Sequence, residues 1–213
     1  MRGRASCWSE GFNPAIFQPQ WFARESLIRP SEADEAEVQV IAPPITSFKL
    51  DWLVLQITAG QFIATTADMG HIAPLCELVL GTFAALQHTP VRQMGLNRDM
   101  HYRAPSIDLW NSIGHKLAPK EFWEGLIDSP GMQTIQISGK RSHSRALRLT
   151  VTVQPSVRVQ PGVYFGTNEH FEGEEGSARD LMQVLKDHWW SAQEHAKTTA
   201  ETLLQRLTDA AVS

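Results

Sequence analysis

The chain has 213 residues, with 19 Lys and Arg against 23 Asp and Glu and a net charge of −4. That balance argues against a protein that coats nucleic acid through bulk charge. Two cysteines, Cys7 and Cys76, are too few for a disulfide framework or an all-cysteine metal site.

Residues 1–36 differ from the rest and read as an aromatic, proline-containing N-terminal arm. Gly11 to Phe22 holds Pro14 and Pro19 together with Phe12, Phe17, Trp21 and Phe22. Proline blocks long regular structure, while so many aromatics argue against simple disorder. One short helix is expected over Trp21 to Ile28, stopped before Pro30, with Ser31 to Glu37 as an acidic link. No long apolar run follows Met1-Arg-Gly-Arg4, so no signal peptide is expected.

From Val38 the pattern turns to β. Phe48 to Thr58 is dense in apolar residues and is expected as one strand covered on both faces. Ala59-Gly60 reads as a tight turn, and Phe62 to Thr66 as the antiparallel return. A helix over 70–87 follows, with Ile72, Leu75, Cys76, Val79, Leu80, Phe83 and Leu86 on one stripe. That stripe is too short to span a bilayer, and a cytoplasmic location with no membrane partner is expected. Val91 to Arg103 reads as a long strand. Ser106 caps a short helix ending near Gly114, and Pro119 opens another over Lys120 to Ile127 that shows Phe122, Trp123 and Leu126.

The second half is more regular. Met132 to Ser138 is expected as a strand, and Lys140 to Arg145 as a basic hairpin tip. Leu147, Leu149, Val151 and Val153 then alternate with polar residues, which predicts a strand with one buried face. Pro161-Gly162 precedes a strand over Val163 to Phe171. Ser177 caps a helix that runs to about Leu207; roughly 30 residues at 1.5 Å each make it about 45 Å long, so it must lie across a broad sheet. Phe62 to Asp68 and Tyr164 to His170 form an internal echo, each leading from a strand into a helix. Duplication and chance both explain it. The expected fold is therefore α+β: a single domain over 37–213 with one curved antiparallel sheet and two main helices on one face. Its pseudo-halves, 37–103 and 132–213, are joined by short helices within 106–127.

Familiar catalytic motifs are absent. There is no P-loop, no dinucleotide-binding glycine pattern, no nucleophile elbow, no H-E-x-x-H and no C-x-x-C. Cys7 falls in the arm and Cys76 on the apolar stripe, so a cysteine nucleophile is not expected. No catalytic residue, metal or cofactor is assigned.

Three groups of candidate residues remain. Period-two spacing puts Asn97, Asp99, His101 and Arg103 on one side of a strand. Asp99 could orient His101, and Arg103 could hold an anion. Asn168 and His170 share a face of the later strand and complete a candidate ligand pocket, although polar residues also line the wet face of ordinary half-buried sheets. Lys140, Arg141, His143, Arg145 and Arg148 are candidates for phosphate contact at the hairpin, although charges also guard edge strands. Phe17, Trp21, Phe22, Trp189 and Trp190 are candidate interface aromatics.

The segments His88 to Asn97, Leu117 to Trp123, Ser129-Pro-Gly-Met132 and Gly162 to Phe171 resemble a scattered family of uncharacterised bacterial proteins. The resemblance extends over most of the chain from Phe12. It implies a bacterial cytosolic origin and carries over no catalytic residues. The first functional expectation is a non-enzymatic interaction protein, with a protein partner or a second copy as its ligand. The alternatives are a small-ligand or enzyme pocket around Asp99, His101, Arg103 and His170, and nucleic-acid contact through 140–148, which the net charge does not favour.

Overall fold

A computed structural model describes residues 1–9, 11–141, 146, 148–173 and 178–209. The protein is α+β, with helices packed on one nine-stranded antiparallel sheet. The sheet begins at β2 (Glu37–Ala42), β3 (Ile45–Lys49), β4 (Val54–Thr58) and β5 (Gln61–Thr66). It continues through β1 (Arg2–Ser9), β6 (Val91–Arg103) and β9 (Gly162–Glu172), and ends at β8 (Arg148–Pro155) and β7 (Ile135–Gly139). It is open and uncurled, so the curvature expected from the sequence does not bring its edges together.

Two meanders run inward from the edges. Each delivers the chain into a long helix: β5 leads to α3 (Ile72–Ala85), and β9 leads to α5 (Ala178–Asp209). These are the two ends of the echo seen in the sequence. At 32 residues, α5 is roughly 48 Å long. It packs against β6, β9, α3 and α4 (Ile107–Leu117). Ser106 Oγ accepts from the Leu109 amide at 3.1 Å and starts α4, which continues through Gly114 to Leu117.

Strand alternation assigns the faces. Ala5, Cys7, Phe62, Ala64, Met94 and Leu96 enter one apolar core with α3 and the first half of α5. Met100, Val153, Val163 and Phe165 enter a second core with α4 and the rest of α5. All the α-helices thus lie on one face, and the opposite face of the sheet is open.

The N-terminal arm is the main departure from expectation. Residues 2–9 form β1, paired with β5 on one side and β6 on the other. Gly3, Ala5 and Cys7 point toward α3. They are small, so the apolar alternation is faint in the sequence. Cys7 is fully buried, not in a mobile arm, and burial pushes its thiol up to about 12. Pro19 opens α1 (Pro19–Arg24), and Pro30 opens α2 (Pro30–Asp34) where a stop and a link were expected. Proline fits a first helical turn because its missing N–H has no partner there anyway.

Phe12, Phe17, Trp21 and Phe22 are all buried. Phe17 meets Phe62 at 5.8 Å between ring centroids, Phe22 meets Phe48 at 5.7 Å, and Phe12 meets Phe83 at 6.0 Å. Truncating a buried phenylalanine typically costs about 3–5 kcal/mol, so this segment is part of the core.

Two further expectations are corrected. The strand drawn over Phe48 to Thr58 is split by a turn in which the Leu50 amide donates to the Leu53 carbonyl at 2.8 Å, so β3 and β4 pair antiparallel. The helix expected over Lys120 to Ile127 is a 3-10 turn over Lys120–Trp123, and Gly125 then takes a φ of +76°.

Candidate functional site on the open face of the sheet

The open face carries the polar residues singled out in the sequence. In β6, Asn97, Asp99, His101 and Arg103 alternate outward. In β9, Tyr164, Asn168 and His170 do the same. The register sets Asn97 opposite Asn168 and His101 opposite Tyr164, with Gly95 opposite His170. The predicted residues therefore share a face, but they divide into three local groups.

The first group is structural. Asn168 Nδ2 donates to Asn97 Oδ1 at 2.8 Å, and Arg4 Nη2 donates to the same oxygen at 3.3 Å. The second group lies toward the opposite end of β6. Trp8 lies over Gly95, where a β-carbon would come within 3.1 Å of its ring, and faces the His170 ring at 6.1 Å. His170 Nε2 is 3.8 Å from Glu172 Oε1. Burial and the charge of Arg148 hold the His170 pKa below its ordinary value.

The third group is concave. Arg2, Asp99, His101, Gln154, Pro155, Val157, Arg158 and Tyr164 line a cleft of about 240 Å³ that crosses β1, β6, β9 and β8. Tyr164 donates its hydroxyl to Asp99 Oδ1 at 2.8 Å. Burial, then this bond, raises the phenol pKa, so Tyr164 stays a donor. Burial, reinforced by Arg158, lowers the pKa of His101. Ser156 Oγ accepts from the amides of Arg158 and Val159, both at 3.1 Å, and lies 2.8 Å from His101 Nδ1. Arg2 Nε is buried without a hydrogen-bond partner.

His170 and Arg103 do not line this cleft. The residue spacing that made them attractive also carries them to other parts of the face. Arg103 instead donates to the Gln160 carbonyl at 2.7 Å and ties down the loop that holds Arg158. The sequence reading missed Arg2, Arg158 and Tyr164, since Arg2 lay in the supposed arm and Arg158 in a loop without a motif. The fully alternating pattern of β9 could have identified Tyr164.

The basic hairpin does not form one patch in the described residues. Arg141 turns to the helix side and donates to both oxygens of buried Glu169, at 2.9 and 3.2 Å. His195 Nδ1 lies 3.3 Å from the same carboxylate. Arg148 is on the open face, and Lys140 is exposed. His143, Arg145 and the Ser177 cap lie outside the described residues.

The aromatic candidates also separate. Phe17, Trp21, Phe22 and Trp189 are buried within the chain and present little surface to a partner, while Trp190 is exposed. A different apolar surface stands out. Phe122 and Leu126 are 76% and 75% exposed, and Trp123 and Ile127 beside them are exposed as well. Trp123 and Ile127 also line a groove with Met132, Gln133 and Thr134, which lead directly into edge strand β7. Within β7, Ile137 is 67% exposed. No helix of the described residues is long and apolar enough to cross a membrane. Comparison with protein-family models and with curated proteins gives no match to this chain.

Proposed function

We propose that the protein is a non-enzymatic interaction subunit that works by docking a protein strand and apolar side chains onto β7 and the adjoining segment 122–127. The observation that carries this reading is the exposure of Phe122, Trp123, Leu126 and Ile127 next to an edge strand. Large apolar side chains gathered on a surface favour association, because water is released when they are covered.

The edge strand supports the same reading. Soluble proteins usually guard sheet edges with charge, proline or bulges. At the other edge, β2 carries Glu37, ion-paired to Lys49 at 3.3 Å, and a register shift between Val38 and Val40. By contrast, β7 reads Ile-Gln-Ile-Ser-Gly, with neither charge nor proline. Among the described residues it pairs only with β8.

The occupant that fits best is a second copy of the chain. In an antiparallel two-fold pairing the residue on the axis meets its own copy, so a charge there would repel itself. An uncharged strand centred on Ile137 meets that requirement, and antiparallel pairing about Ile137 would continue the sheet across both copies.

Hydrogen exchange at rising protein concentration tests this reading. Amides of Ile135 to Gly139 should slow with concentration while those of β2 do not. The variant Phe122→Ser/Leu126→Ser should remove that dependence. Exchange in β7 that is fast and independent of concentration contradicts it.

A further inference from the structure

The cleft on the open face is a separate surface from β7, and its contents have no role in association. Its charge is unusual for a chain with a net charge of −4. Arg2 on β1, His101 on β6 and Arg158 in the loop after β8 all line it, and Asp99 is the single carboxylate in its lining. Arg2 Nε is buried without a hydrogen-bond partner, an arrangement that costs free energy unless an acceptor arrives. No ion pair links Arg2 or Arg158 to a carboxylate among the described residues.

His101 adds a directed donor. Both lone pairs of Ser156 Oγ are taken by the Arg158 and Val159 amides, which leaves the Ser156 hydroxyl hydrogen for His101 Nδ1. The neutral imidazole therefore carries its proton on Nε2. His101 offers an N–H without needing a positive charge. The same serine fixes the backbone of the loop that presents Arg158.

We propose that this cleft binds the phosphate group of a small phosphate monoester. Two guanidinium groups and an imidazole N–H suit a tetrahedral dianion, whose several oxygens can take donors from different strands; a carboxylate is satisfied by a single arginine fork. Asp99, held by Tyr164, accepts a hydroxyl from the organic part of the ligand. Placed in the lining, it also opposes a continuous polyanion. The volume of about 240 Å³ suits a small molecule, and Pro155 and Val157 add apolar surface to its lining.

The test is calorimetric titration with glycerol phosphate, inorganic phosphate and a 5′-phosphorylated oligothymidylate. The full chain is compared with Arg2→Gln, Arg158→Ala and Arg148→Ala, each checked for an unchanged thermal melt. Glycerol phosphate should bind more tightly than inorganic phosphate and the oligonucleotide. Arg2→Gln and Arg158→Ala should each weaken it about tenfold, and Arg148→Ala, on the same face outside the cleft, should not. If Arg2→Gln melts early, Arg158→Ala alone decides, because Arg158 is exposed in a loop. Equal affinity for inorganic phosphate assigns the cleft to the free ion and overturns the monoester. Tighter binding of the oligonucleotide, an equal loss in Arg148→Ala, or no binding at millimolar concentrations also overturns it.

Discussion

Ser156 Oγ stands 2.8 Å from Nδ1 of His101, across 55 residues of sequence, and joins the long central strand to the loop that carries Arg158. The serine is buried and uses its oxygen twice and its hydrogen once. Ser156→Ala leaves two backbone amides and one ring nitrogen without partners. It should cost about 1–3 kcal/mol of stability. In nitrogen NMR the wild-type imidazole should show its proton on Nε2, and the variant should lose that preference. A wild-type ring protonated on Nδ1 at neutral pH contradicts the assignment.

Stability should fall in two steps on acidification. The pKa values of His101 and His170 are held below their ordinary 6.5, mainly by burial. Above that pH both folded and unfolded chains are neutral at these sites. Below it the unfolded chain takes up protons first, so stability declines until the folded imidazoles also titrate. Glu32 behaves oppositely. Its hydrogen bond with Arg29 leads the effects that lower its pKa from 4.5 to about 2. Its contribution is present above 4.5 and is lost as pH falls toward 2. Urea midpoints measured from pH 8 to 2.5 should show both declines. His101→Gln/His170→Gln should flatten the upper one, and Glu32→Gln the lower.

Two charges on neighbouring strands of the helix-facing side predict opposite outcomes. Arg98 is 5% exposed, and its Nε and Nη1 have no hydrogen-bond partner. Burial accordingly lowers its pKa. Replacing an uncompensated buried charge with an apolar side chain of similar length is stabilising, so Arg98→Met should raise Tm. Glu169 is also buried but accepts two hydrogen bonds from Arg141, with the His195 ring 3.3 Å away. Glu169→Ala leaves the partly buried Arg141 guanidinium without its acceptor and should cost about 3 kcal/mol. Thermal melts of the two variants check the contrast.

Gly162→Ala should be severely destabilising. A β-carbon there would lie 2.6 Å from the Val159 carbonyl oxygen and 2.8 Å from that of Tyr102, and neither backbone can yield cheaply. The expected loss is about 1–3 kcal/mol. The same change should weaken any binding in the cleft, since Gly162 anchors the loop through its carbonyl bond to the Ser156 amide at 2.9 Å. A variant that melts like wild type contradicts the packing argument.

Strong periodicity was legible in the sequence, and weak periodicity was not. The stripe of α3, the alternation of β8 and the length of α5 follow from residue spacing, and with them the α+β class. β1 was hidden because its inward residues are Gly3, Ala5 and Cys7, whose burial depends on α3 lying close above them. The split between β3 and β4 was hidden because Trp52 and Leu53 continue the apolar run through the turn. For the site, alternation placed Asp99 and His101 on one face, but the neighbours that complete the cleft come from distant segments. Arg2 arrives through the pairing of β1 with β6, and Arg158 through the bonds of Ser156. Similarly, Phe17 and Trp189 read as interface aromatics because sequence alone does not show which aromatic side chains the core consumes.

The most direct test of the proposed function is multi-angle light scattering across a concentration series. The wild-type chain should approach twice its 23.8 kDa mass as concentration rises. Phe122→Ser/Leu126→Ser should remain at the mass of one chain with its thermal melt intact. A wild-type chain that stays at 23.8 kDa at every concentration contradicts self-association through β7 and segment 122–127.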